Sequence, residues 1–157
     1  MLKRLMLAVA LALPVSAAFA QASAQAGAQG GTKEQWGPVP PVLPAGAQIA
    51  VLQGNPFGPG VYTLRLKMPN GYTIPPHFHP TDEMVTVISG TLMYGHGDKI
   101  DRSAMSTLHA GGFTAATANM HHYVTARGAT IVQVHGEGPF AITYVNPADN
   151  PQAKPKP

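Results

Sequence analysis

Three prolines within six residues, Pro75, Pro76 and Pro80, decide what the middle of this chain can be. Proline lacks an amide hydrogen and restricts the residue before it to extended backbone, so Pro75-Pro76-His77-Phe78-His79-Pro80 cannot run as a helix. The same constraint spreads over the whole sequence. Sixteen prolines and 17 glycines against 11% charged residues describe short extended segments joined by turns, and the expected class is all-β. At 157 residues the chain has length for one domain, and no internal repeat suggests a second barrel.

The first 20 residues stand apart. Met1-Leu2-Lys3-Arg4 is a basic start, Leu5 to Leu13 an apolar run, and Ala18-Phe19-Ala20 a small-x-small cleavage pattern. This reads as a signal peptide over 1–20, too short in its apolar run to anchor the mature protein in a membrane, and it places the protein in the periplasm or outside the cell. Residues 21–35, rich in Ala, Gln and Gly, read as a flexible spacer, 36–147 as the folded domain, and 148–157 as a disordered Pro/Lys tail. Trp36 is expected to pack on the domain as part of an N-terminal strap. With no cysteine, neither a disulfide nor a lipid attachment is available. The net charge of +3 falls once Lys3 and Arg4 leave, and no basic run points to nucleic acid.

Turn dipeptides divide the domain into candidate strands: Gln48 to Leu52, Val61 to Met68, Tyr72 to His77, Glu83 to Ser89, Thr91 to Gly95, Gly112 to Ala115, His121 to Ala126, Ala129 to His135 and Phe140 to Val145. Asn70-Gly71 and Ser89-Gly90 are the strongest hairpin signals, and Asp101 to His109 is expected to hold one irregular helical turn.

The densest chemistry lies beside the prolines. Residues two apart on a strand share a face, so His77 and His79 can present both imidazoles to one point while Phe78 looks away. The turn Pro80 to Asp82 then returns the chain so that Glu83 adds a carboxylate. Imidazoles with one carboxylate suit one divalent transition metal (Fe, Mn, Co, Ni, Cu or Zn), and the absence of thiolates argues against a closed structural zinc site.

Gly71, five residues, His77-x-His79, three residues, Glu83, six residues and Gly90 reproduce the first motif of the cupin superfamily at every fixed position. The chain resembles that family. Its second motif is met in part: Gly111 and His122 fit, Thr117 stands where proline is usual, Asn119 where glycine is usual, and the more distant Asn has no match. Asn tolerates positive φ better than other side chains, so Asn119 can make the same turn. Val124 and Ala126 share the face of His122 and are apolar, as a barrel interior requires. His122 is therefore the fourth ligand, with His121 the alternative.

The resemblance implies a single jelly-roll β-barrel, a mononuclear centre of three histidines and one glutamate, and commonly a homodimer. It does not imply one reaction. Leu92, Tyr94 and His96 share one strand face, and Ile131, Gln133 and His135 another. Tyr94 and His135 are the candidate proton donors or acceptors, and Gln133 is a candidate hydrogen-bond donor to substrate or oxygen. Arg65 lies on the polar face of its strand and would hold a substrate carboxylate only if that face were inward. The expected function is a metal-dependent enzyme of dioxygenase type acting on a small organic substrate. A lyase or isomerase, or a non-catalytic metal- or ligand-binding protein, is the alternative.

Overall fold

The computed structural model describes residues 34–153. The expected leader, residues 21–33 of the expected spacer, and residues 154–157 lie outside the described residues. Eleven strands are described: β1 (Gly37–Pro38), β2 (Gln48–Gln53), β3 (Gly60–Met68), β4 (Thr73–Phe78), β5 (Glu83–Ser89), β6 (Thr91–His96), β7 (Ser106–His109), β8 (Phe113–Ala116), β9 (His122–Ala126), β10 (Thr130–Gly138) and β11 (Thr143–Tyr144). They form two antiparallel sheets, one in the order β1-β2-β3-β10-β5-β8 and the other β11-β4-β9-β6-β7. From β3 onward the chain passes back and forth between the sheets, except at the β6–β7 hairpin, which is the wrapping of a jelly roll.

Period-two alternation sets the inner faces. Leu64, Leu66 and Met68 of β3 and Val132 and Val134 of β10 are buried against residues of the opposite sheet such as Leu92 and Val124. A side chain such as Leu92, at 1% exposure, contributes about 1.5–3 kcal/mol by leaving water.

β4 breaks this alternation once. Ile74 pairs with Val124 but His77 pairs with His122, three residues on one strand against two on the other. This is a β-bulge at Pro75-Pro76, where the missing amide hydrogens remove nothing from the ladder. The extra residue turns both Ile74 and His77 toward the interior, which a strict two-residue period would forbid.

Several sequence expectations change. Asn70-Gly71 and Ser89-Gly90 do not close hairpins: each carries the chain from one sheet to the other, since β3 and β4, and β5 and β6, belong to different sheets. A turn dipeptide fixes local backbone angles and does not choose the strand's partner. Asp101 to His109 holds no helix: turn structure around 102–103 leads into β7, whose Ser106–His109 pairs with Tyr94 to Thr91. The last expected strand shrinks to Thr143–Tyr144. Residues in the expected tail form two short 3-10 turns, Pro147–Asp149 and Pro151–Ala153, the first capped by the Asn146 side chain.

The N-terminal strap is present. The Tyr72 hydroxyl donates to the Pro44 carbonyl at 2.6 Å and that of Tyr144 to the Val42 carbonyl at 2.8 Å, fastening 42–44 to the second sheet. Glu34, at the end of the expected spacer, pairs with Arg65, and the Trp36 ring lies 5.2 Å from the Lys67 ammonium on the outer face of β3.

Candidate metal centre

Four side chains from three strands and one turn converge at one end of the barrel interior. His77 comes from β4, His79 from the turn after it, Glu83 from the start of β5 and His122 from the start of β9. Possible ligand atoms of His77, His79 and His122 lie within 4.8 Å of one another. Glu83 Oε2 is 3.6 Å from His79 Nε2 and 3.7 Å from His122 Nε2. The three histidines are 3%, 5% and 1% exposed, so this is an interior cluster.

The protons on these rings follow from their partners. His77 Nδ1 lies 2.7 Å from the Pro75 carbonyl, His79 Nδ1 2.7 Å from that of Ala141, and His122 Nδ1 2.9 Å from that of Met120. A carbonyl oxygen only accepts, so each Nδ1 carries the hydrogen and donates it. In the neutral ring Nε2 is then a bare lone pair. Among the described residues, His79 Nε2 and His122 Nε2 are buried with no hydrogen-bond partner, and both face the Glu83 carboxylate, itself an acceptor. Bare lone pairs turned on one another out of water repel unless a cation or a proton stands between them. The donor set, the Nδ1 anchors and the orphaned Nε2 atoms fit a divalent transition metal.

Two turns hold the donors. Asp82 Oδ1 accepts from the Ala118 amide at 2.8 Å, and the Asn119 amide donates to the His79 carbonyl at 2.8 Å, bracing the turn before Glu83 against the turn before His122. Asn119 has φ 62°, the left-handed conformation expected for it. Replacing it by Gly should leave stability within about 1 kcal/mol, whereas Asn119→Val should cost about 2 kcal/mol, because a branched side chain is strained at that φ. Urea denaturation of the two variants measures the difference. Asp82 carried no sequence signal for this role, and neither did Ala141, which acts through its carbonyl alone.

His121 points away from the cluster: its Nδ1 lies 2.6 Å from Asp98 Oδ1 and its ring stacks on Phe78 at 4.9 Å. Tyr94 packs behind His122, the rings 5.6 Å apart and 19° from parallel, with its hydroxyl buried. Burial, and secondarily the Glu83 charge, push that phenol up to about 12, so it stays protonated.

Gln133 and His135 are corrections. Val132 and Val134 take the inner face of β10, which leaves Gln133 and His135 on the outer face. There Arg65 Nε donates to Gln133 Oε1 at 3.1 Å, Gln133 Nε2 lies 3.1 Å from His135 Nε2, and His135 Nδ1 is 2.9 Å from Thr63 Oγ1. Neither reaches the cavity, nor does Arg65.

Tyr62 was missed because it sits in an ordinary apolar alternation. It stands level with Gly136 on β10, which in turn stands level with Glu83 on β5. A Cβ on Gly136 would lie 2.5 Å from the Tyr62 hydroxyl oxygen, so the absent side chain is what lets the phenol lie across that strand. Its titration is raised by burial first and by the Glu83 charge second.

Residues 64–135 match the family model described as a cupin domain. The chain carries a cupin domain. Solved structures agree in fold. A candidate acetylacetone dioxygenase from Methylibium petroleiphilum is 21% identical, with 75% of this chain and 79% of that one covered and a TM-score of 0.57. An RmlC-like cupin from Shewanella frigidimarina is 12% identical, with 67% and 84% covered and a TM-score of 0.54. A cupin 2 domain-containing protein from Halorhodospira halophila is 17% identical, with 66% and 73% covered and a TM-score of 0.55. No curated protein matches the chain.

Electrostatics in this cupin give the site a pH dependence of definite sign. His77 is pushed down to about 3, first by burial and then by His122 and His79. The unfolded chain protonates this imidazole near 6.5, so its contribution is full above that value and is lost as pH falls toward about 3. Burial works against the charge on Glu83, but His122 and His79, once their rings gain a second proton, outweigh it by hydrogen bond and charge and hold the carboxyl below its usual range. That contribution too is lost on acidification, at lower pH. The urea midpoint of the metal-free protein should fall steadily once the pH drops below 6.5. A midpoint that rises there would contradict a buried neutral His77.

Proposed function

We propose that this cupin is an exported, metal-dependent enzyme of dioxygenase type, with one divalent transition metal held by His77, His79, Glu83 and His122. The observation that carries the metal reading is the pair of buried Nε2 atoms on His79 and His122, whose rings are fixed by Nδ1 donation to carbonyls and whose free lone pairs face a carboxylate. A divalent ion bound there supplies Lewis acidity and open coordination positions for a substrate oxygen or for dioxygen. The chain's part is to fix the donors, to keep their protons on Nδ1, and to surround them with hydrocarbon that excludes water.

The oxygenase reading draws on the donor set and on the likeness in fold to the candidate acetylacetone dioxygenase. The lyase or isomerase alternative needs a proton carrier besides the ligands. His135 stands on the outer face, and Tyr94 lies behind His122 rather than on the cavity wall. These placements favour oxygen chemistry. The proposed export rests on the leader-like residues 1–20.

The test is elemental analysis of protein purified without chelator, followed by oxygen-electrode assays with phenolic and keto-carbonyl substrates. Near-stoichiometric iron, manganese, nickel or copper with substrate-dependent oxygen uptake supports the proposal. Stoichiometric metal without uptake across the series moves the protein to the binding or lyase readings. No metal after reconstitution removes the centre altogether.

A further inference from the structure

Resting on that reading of the site, we propose that the centre takes a small chelating ligand with an uncharged, apolar body, and discriminates against ligands whose body carries a carboxylate. The cavity that the donors line offers about 60 Å³ and is lined by twenty residues, of which only His77, His79, Glu83 and His122 are polar. The rest are hydrocarbon, among them Val132 and Val134 of β10 and Phe140 and Ile142. An ionised carboxylate leaving water needs a cation or several hydrogen bonds in return. This wall offers neither, and the one charged wall residue, Glu83, has the wrong sign.

The cations of the described chain are all elsewhere. Arg65 is held on the outer face by Glu34 and Gln133, and Lys67 lies against Trp36. Arg102 and Arg127 border a separate hollow beside Asn70 and Met93, and Lys99 borders another beside Pro75 and Asp149. None of these five lines the cavity. Only the head group of a ligand can therefore be polar, and it must meet the donors' end. With roughly 10–15 Å³ needed per water-sized group, the space accepts a body of about four to six non-hydrogen atoms.

Two hydroxamates of nearly equal shape test this. 4-Methylpentanohydroxamate and succinate monohydroxamate share one chelating head and one two-carbon spacer, and differ by a terminal isopropyl against a terminal carboxylate of the same number of non-hydrogen atoms. Protein loaded with Co(II), its metal content verified by elemental analysis, is titrated with each and followed by its visible spectrum. 4-Methylpentanohydroxamate should bind at least about tenfold more tightly, reflecting the unrepaid desolvation of the terminal carboxylate. Equal affinities, or tighter binding of the succinate compound, overturn the inference while leaving the metal centre standing. Failure to take up cobalt removes the centre and the inference together. In Ile142→Lys, at a half-buried position of the wall, an ammonium should bring the two affinities within about threefold. Unchanged discrimination in that folded variant would show that the missing cation is not its source, and would also overturn the inference.

Discussion

His79→Ala and Glu83→Ala each lose most of the bound metal, with affinity falling by more than about 100-fold, while His109→Ala keeps it. The bound is set from below: altering even the partners that orient metal ligands costs about 10–100-fold, and these substitutions remove donors themselves. His79→Ala also leaves the Ala141 carbonyl without its donor and the Glu83 carboxylate with one imidazole fewer. His109 is an internal control, since it is exposed and its ring nitrogen lies 3.3 Å from Thr91 Oγ1, on the far side of the β6–β7 hairpin from the cluster. Elemental analysis after dialysis, with competition against a chromogenic chelator, gives the affinities. Equal retention in all three variants would mean that metal, if bound, is bound elsewhere.

Gly90→Ala costs at least about 3 kcal/mol, and Gly71→Ala costs about 1–2 kcal/mol. The two glycines open and close the same motif and have nearly equal positive φ, 81° and 80°. What differs is the surrounding space. A Cβ at position 90 would lie 2.3 Å from the Ala129 carbonyl oxygen and 2.8 Å from Thr130 Cα, whereas no atom of the described residues lies within 4 Å of one at position 71. The backbone at Thr130 cannot yield easily, because the residue is fully buried and its hydroxyl bonds both the amide and the carbonyl of Thr91. Urea denaturation of the two variants separates the cost of the backbone angle from that of the collision. Similar losses in both would assign the whole effect to φ.

The clustering of His77, His79 and His122 was readable in the sequence because it depends on short-range relations. Two histidines one residue apart on extended chain, a proline-led turn and a carboxylate at its end place their donors through local backbone alone. Choosing His122 over His121 needed only the apolar partners Val124 and Ala126 on its face, and the structure turns His121 outward to Asp98. Asn119 was likewise a local inference, drawn from which side chains endure positive φ.

What the sequence withheld depends on partners far along the chain. β7 is a strand because β6 offers it an edge, not because Ser106 to His109 strongly prefers one. The bulge at Pro75-Pro76 is visible only when β4 is laid against β9. For Gln133 and His135, plain alternation already placed Val132 and Val134 on the opposite face. Assigning the polar pair to the pocket required the polar side of β10 to be its inner one, which the apolar cavity excludes. The Nδ1 acceptors Pro75, Met120 and Ala141 act through their carbonyls, and no residue type announces such a role.

The seating of Tyr62 over Gly136 also bears on how related barrels can diverge. A phenol that lies where a neighbour's Cβ would be makes the two positions interdependent, although 74 residues separate them in the chain. A descendant cannot gain a side chain at 136 and keep tyrosine at 62 without moving a ring buried beside the glutamate. Aligned sequences should therefore show the two sites changing together, with glycine at 136 wherever a bulky aromatic occupies 62 and a smaller residue at 62 wherever glycine has been lost.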